Sequence, residues 1–249
     1  MTWSLPSDRQ ARLALALDYP YAAPDRSYLL AGGEVLPLPR QASDDLYAGR
    51  HAVLAHGSNR APAHLLRKFG SKAQIPVTYG WLSGYDVVYG AHVARYAAVT
   101  ATLAAARGCR VRVALNWLSG EDLAAMHESE RMNYSYGRLP AEVFAAEEGP
   151  NPQELTLYAG NHGALLLDGA AVAIEAVTAV DRPHRAMSQR RLQEDLASRF
   201  APHLPLEESL LQRIEDAEVR RAFAARLQGS GLESLTGFQS LHRLDGNFA

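Results

Sequence analysis

The period of the apolar positions changes along the chain, and each change predicts an element. His51 to Asn59 reads HAVLAHGSN, a compact apolar run that breaks into Gly57, Ser58 and Asn59. A run of that kind is a buried strand, and the break is a tight loop. RAPAHLLRKFG follows, with helix formers from about Arg60 to Phe69 and Gly70 at the stop position, so the unit is strand, loop, helix. From Ile75 to Tyr89 aromatic, β-branched and Gly residues alternate, and VRVALNWL (Val111 to Leu118) is a second strand run. Ser119 stands three residues before Asp122, a capping arrangement that opens a helix over Glu121 to Arg131. Beyond EEGPNPQE come LTLYAG, GALLLDG and AVAIEAVTAV, three strands separated by Asn161-His162-Gly163 and by Asp168-Gly169, the latter a hairpin signal. Helical patterns cover Ser188 to Phe200 and Leu206 to Leu227. Sheet comes first and helices last, which predicts an α+β fold.

The first fifty residues read as an irregular extension packed on the core, with one short helix near Asp8 to Leu17 and the Pro-rich stretch LPLPR (Leu36 to Arg40). Residues 51–184 form the predicted core and 185–249 a C-terminal helical extension.

Composition narrows the class. Of 249 residues, 25 are Lys or Arg and 27 Asp or Glu, so there is no basic excess to hold a phosphate backbone, and nucleic acid is excluded as an expected partner. Lys68 and Lys72 are the only lysines. The single cysteine, Cys109, rules out an internal disulfide framework and a Cys-based zinc cluster. The longest nearly apolar stretch, Ala97 to Ala106, falls well below the ~20 residues that cross a bilayer, and the N-terminus has no signal or transit pattern. A cytoplasmic protein with no membrane association is the expectation.

The usual catalytic motifs are missing. No GxGxxG or Walker A occurs, GWLSG puts Ser83 one place late for a nucleophile elbow, and HESER lacks the second histidine of an HExxH helix. Cys109 lies among Arg107 and Arg110, but lone cysteines are mostly small buried hydrophobes. Two segments carry more information. LAHGSNRAP (Leu54 to Pro62) turns from strand into helix and leaves backbone N–H groups for a carboxylate or an oxyanion, although Ser58 or Asn59 as a plain helix cap explains it too. LAAMHESERMNYSYGRL (Leu123 to Leu139) carries Glu128 and Glu130, which point about 200° apart on a helix, so one of them at most faces inward. Tyr158 and His162 flank the Asn161-Gly163 turn, and no sequence signal brings them to a site.

Together the two segments resemble the gamma-glutamylcyclotransferase-like (AIG2-like) family. HGSN resembles its YGSN loop, and MHESERMNYSYGR resembles the LDxxEG...YxR stretch that holds its catalytic glutamate, aligned here on Glu130 and not Glu128. Order and separation fit as well, with about seventy residues between Asn59 and Glu130. His56 stands for the loop tyrosine, His127 for the aspartate, and Arg131 for the glycine after the glutamate. The resemblance spans about Ala52 to Val180. It implies a small mixed β-barrel with flanking helices, and intramolecular aminolysis of a gamma-glutamyl amide to give 5-oxoproline and a free amine. Glu130 would be the general acid/base. His56 and the backbone N–H groups of Gly57, Ser58 and Asn59 would bind the small-molecule substrate, with Tyr134 or Tyr136 donating to it, Tyr136 being favoured by the YxR spacing. No metal or cofactor is implied. Two alternatives stay open: an amidohydrolase or acyltransferase on the same fold, and a noncatalytic binding module.

Overall fold

A computed structural model describes residues 4–39 and 44–242; Arg40, which ends the LPLPR stretch, and the last residues of the C-terminal tail lie outside them. In chain order the elements are α1 (Arg9–Leu17), β1 (Tyr28–Ala31), β2 (Glu34–Pro37), β3 (His51–Ala55), α2 (Pro62–Phe69), β4 (Ile75–Val93), β5 (Val99–Leu118), α3 (Gly120–Glu130), β6 (Tyr134–Leu139) and β7 (Phe144–Ala146). They continue with β8 (Leu155–Gly160), β9 (Leu166–Leu167), β10 (Ala170–Ile174), β11 (Ala179–Val180), β12 (Arg185–Met187), α4 (Gln189–Phe200), α5 (Leu206–Glu215), α6 (Ala217–Ala224) and β13 (Gln239–His242). Among the described residues this is a mixed α+β fold with one 13-stranded sheet and six helices. The main path runs β12-β10-β4-β5-β3-β8-β6-β13 and stays open at both ends.

The unbroken apolar character of HAVLA follows from where β3 lies. It pairs antiparallel with β5 and parallel with β8, so both its edges are hydrogen-bonded and Ala52 to Ala55 are buried. Side chains alternate between two cores. Ala52 and Leu54 join the larger one, with Leu115, Trp117 and Leu157, while Val53 and Ala55 join a second with Val77, Leu118 and Tyr158. Leu65 of α2 and Met126 of α3 enter that second core, which sets both helices on the same face of the sheet as the end of β3. Leu192 and Leu196 of α4 and Phe223 of α6 close the larger core.

Strands β4 and β5 form one long hairpin with register shifts at Ser83/Tyr85 and Tyr89/Val93, bulges that let so long a ribbon twist. The run Ala97 to Ala106 falls at its turn and in the first half of β5. Between β9 and β10, Asp168 and Gly169 both have positive φ, 54° and 83°, the geometry of a two-residue hairpin turn. The pattern AVAIEAVTAV divides into β10 and β11, and β11 crosses to pair with β5. The long C-terminal helical pattern also divides: Asp216 ends α5 and caps α6, accepting from the N–H groups of Glu218 and Val219.

Much of the N-terminal fifty residues is ordered structure. Helix α1 is capped by Asp8 and packs Leu13 and Ala16 on Leu210, Leu211 and Ile214 of α5. Strands β1 and β2 form a hairpin, and β1 joins the sheet through β4. No helix among the described residues is long and apolar enough to cross a membrane.

Candidate functional site

A cavity of about 590 Å³ opens where the β3–α2 loop, α3, the start of β6 and the β4–β5 turn converge. Its floor is the loop that the sequence singled out. β3 ends at Ala55, Ser58–Arg60 form a single 3-10 turn, and α2 starts at Pro62, where the absent N–H costs nothing. The helix is therefore two residues shorter at its start than its composition suggests. Asn116 of β5 donates to the Asn59 carbonyl at 2.9 Å and ties the loop to the sheet.

Glu130, the last residue of α3, meets this loop. Asn59 Nδ2 donates to Glu130 Oε1 at 3.2 Å, and Lys68 Nζ of α2 donates to the same oxygen at 2.5 Å. Lys68 also donates to Asn59 Oδ1 at 3.1 Å and to Met126 Sδ at 3.1 Å. An ammonium has three donors, and these three acceptors take all of them. The same contacts orient the Asn59 amide, because its oxygen must face Lys68 and its nitrogen Glu130. Both Lys68 and Glu130 are largely enclosed, with side chains 10% and 13% exposed. Both bonds to the carboxylate fall on Oε1, and no donor among the described residues takes Oε2. Glu128 sits at the exposed rim of the same cavity and pairs with Arg131 at 3.4 Å.

His56, Gly57, Ser58, Asn59, Glu130 and Tyr134 all line the cavity. Burial pushes His56 down to about 4 against the opposing pull of the Glu130 charge, so it is neutral at pH 7. Its Nδ1 is buried with no hydrogen-bond partner among the described residues. The Tyr134 hydroxyl donates to Thr100 Oγ1 at 2.8 Å, and burial together with the Glu130 charge raises its pKa, which keeps it protonated. Tyr136, favoured by its spacing, does not line the cavity. It points with the second core, its ring centroid 4.6 Å from His127, while Tyr158 bonds His127 Nδ1 at 2.8 Å. His127 thus fills a packing position. Tyr158 does reach the cavity wall, and His162 stacks on His92, another wall residue, with centroids 6.4 Å apart.

Cys109 lies inside β5, fully buried, and burial and the Asp86 charge push its thiol up to about 11. That is a packed thiol. Among the described residues no group of three or more His, Cys, Asp or Glu could hold a metal ion.

Several cavity residues carried no motif: Tyr19, His64, Lys68, His92 and Tyr96. For Lys68 a signal existed, since it is one of two lysines in an arginine-rich chain and lies four residues after His64 on the same face of α2. Comparison with protein-family models, with curated proteins and with solved structures gives no match.

Proposed function

We propose that this cavity cleaves a gamma-glutamyl amide by intramolecular attack of the substrate's own α-amine, the chemistry of the gamma-glutamylcyclotransferase-like family, with Glu130 as general acid/base. The observation that carries the reading is the bond between Asn59 and Glu130, residues 71 apart in sequence that belong to the two motifs. The reading brings with it the family's small mixed β-barrel for the core, which the mixed pairing of β3 with β5 and β8 supports.

In this account the α-amine nitrogen attacks the γ-carbonyl carbon and Glu130 takes the ammonium proton. The tetrahedral oxyanion is met by N–H groups of the loop, and as it collapses the bond to the leaving amine breaks while Glu130 returns the proton to that nitrogen. Products are 5-oxoproline and an amine. Nucleophile and carbonyl belong to one molecule, so holding the folded conformer supplies much of the acceleration. Lys68 and Asn59 anchor Oε1 and leave Oε2 for the proton. Tyr134 stays neutral at the wall, its proton donated in a hydrogen bond to Thr100 Oγ1. The chemistry calls for no metal or cofactor.

A second reading is favoured by one observation. The Lys68 ammonium is already paired with Glu130 Oε1, as in a structural ion pair, which favours a noncatalytic binding module. Detection of 5-oxoproline from gamma-glutamyl amides, for the wild type and for Glu130→Gln, separates the two.

A further inference from the structure

Tyr19 lies outside the predicted core, yet its side chain lines the cavity and is 5% exposed. Its position follows from local structure. Helix α1 ends at Asp18, whose carbonyl accepts the Tyr21 N–H at 2.7 Å, and the Tyr21 hydroxyl folds back on the Leu15 carbonyl at 3.0 Å. Tyr19 packs edge-on against Tyr21, centroids 5.7 Å apart, and runs its hydroxyl to the β3–α2 loop. There the Ala101 N–H donates to the phenolic oxygen at 2.7 Å, and the Ser58 N–H approaches the same oxygen. The hydroxyl presses so closely on Gly57 that a Cβ at that position would overlap it.

A phenolic oxygen accepts two hydrogen bonds and donates one. Here the Ala101 N–H is accepted, the Ser58 N–H lies near the same oxygen, and no acceptor among the described residues receives the proton. We propose that the Tyr19 hydroxyl is the donor this site offers to a carboxylate or carbonyl oxygen of its ligand, held against the β3–α2 loop by the Ala101 N–H that it accepts. Donation of the Ala101 N–H into the oxygen polarises the O–H, so a backbone dipole acts on the ligand through the phenol. Burial raises the Tyr19 pKa well above its ordinary value, and the proton stays in place through the neutral range. Gly57 is then required because only a residue without a Cβ leaves room for the hydroxyl on the loop.

The assignment of the ligand oxygen as a developing oxyanion rests on the cyclotransferase reading; donation to a carboxylate does not. The test therefore has two arms. Acetate is titrated into protein carrying tyrosine labelled with 13C at Cζ, the Tyr19 signal being identified by its loss in Tyr19→Phe. The expected result is a saturable shift of that signal, with acetate binding at least about tenfold weaker in Tyr19→Phe. Absence of any acetate-dependent shift of the Tyr19 signal overturns the proposal. In the second arm, turnover of gamma-glutamyl amides by Tyr19→Phe is expected to fall about 100-fold in kcat with KM little changed, as when one oxyanion donor is removed. An active wild type matched by Tyr19→Phe overturns the catalytic role. A wild type silent on every substrate sinks the cyclotransferase reading instead, while the acetate arm still decides Tyr19.

Discussion

Lys68 Nζ stands 2.5 Å from Glu130 Oε1, and the Asn59 amide bridges the two, donating to the carboxylate and accepting from the ammonium. Three elements, the β3–α2 loop, α2 and α3, thus share one ion-paired knot at the wall of the cavity. Its strength can be measured. Lys68→Met leaves the Glu130 carboxylate enclosed without its counter-charge, and stability should fall by about 3 kcal/mol in urea unfolding, the cost of breaking an enclosed pair from one side. Adding Glu130→Gln should recover most of that loss in a double-mutant cycle. Strict additivity of the two substitutions would show that they do not interact.

His56 makes stability depend on acidity. Its folded value, about 4, lies below the ordinary 6.5 of the unfolded chain, so between those limits the unfolded chain holds more protons. Stability is indifferent to His56 above pH 6.5, declines as the pH drops toward 4, and is level again below, a total loss of about 3 kcal/mol. His56→Asn should flatten the slope of unfolding free energy against pH within that window. An unchanged slope would mean that His56 is not buried neutral.

Gly57 and Tyr19 should be coupled. Gly57→Ala sets a methyl against the Tyr19 hydroxyl, and because φ −115° and ψ −134° lie outside the regions ordinary residues favour, a backbone cost shared by both backgrounds adds to the contact. Overpacking of this kind costs about 1–3 kcal/mol. In a Tyr19→Phe background the hydroxyl is gone and the same substitution should cost clearly less, as thermal melts of the four proteins will report. Equal costs in both backgrounds would remove the contact from the account.

Asp86, on the opposite side of the long hairpin's bulge from the cavity residues, serves the fold alone. Fully buried, it accepts from the Val87 N–H at 2.8 Å, from Arg182 Nε at 3.0 and 3.1 Å and from His184 Nδ1 at 3.1 Å, and so pins the segment after β11 to β4. Asp86→Ala strands Arg182 and the backbone donor, and about 3–5 kcal/mol should be lost in denaturant unfolding. A loss under 1 kcal/mol would show that the cluster is solvated.

What was legible in the sequence was local. The short helix near Asp8, the Ser119 cap of α3, Gly70 after α2 and the Asp168-Gly169 turn each depend on a few neighbouring residues, and each appears in the structure. The hairpin β1–β2 had a comparable signal in Gly32-Gly33, with φ of 61° and 83°, but its short strands form only because β4 offers a partner about fifty residues away. Alanine is a poor strand former, so Ala97 to Ala106 gave no hint that β5 would run for 20 residues. Motif spacing singled out the loop and Glu130, and the structure brings them together at one cavity. Tyr136 was misplaced because spacing alone does not say which tyrosine of β6 lies at the cavity end of the strand. Lys68 and Tyr19 reach the cavity through tertiary packing of α2 and of the segment after α1; the rarity of lysine marks Lys68, and nothing local marks Tyr19.

The central claim is that Glu130 drives cyclisation of a gamma-glutamyl amide in this cavity. Mass-spectrometric detection of 5-oxoproline, after incubation with glutathione and a panel of gamma-glutamyl amines, tests it most directly, with Glu130→Gln run in parallel. The account predicts 5-oxoproline from at least one substrate with the wild type and none with Glu130→Gln, whose circular dichroism spectrum stays unchanged. An equally active Glu130→Gln protein, or a wild type that forms no 5-oxoproline from any of them, would contradict it.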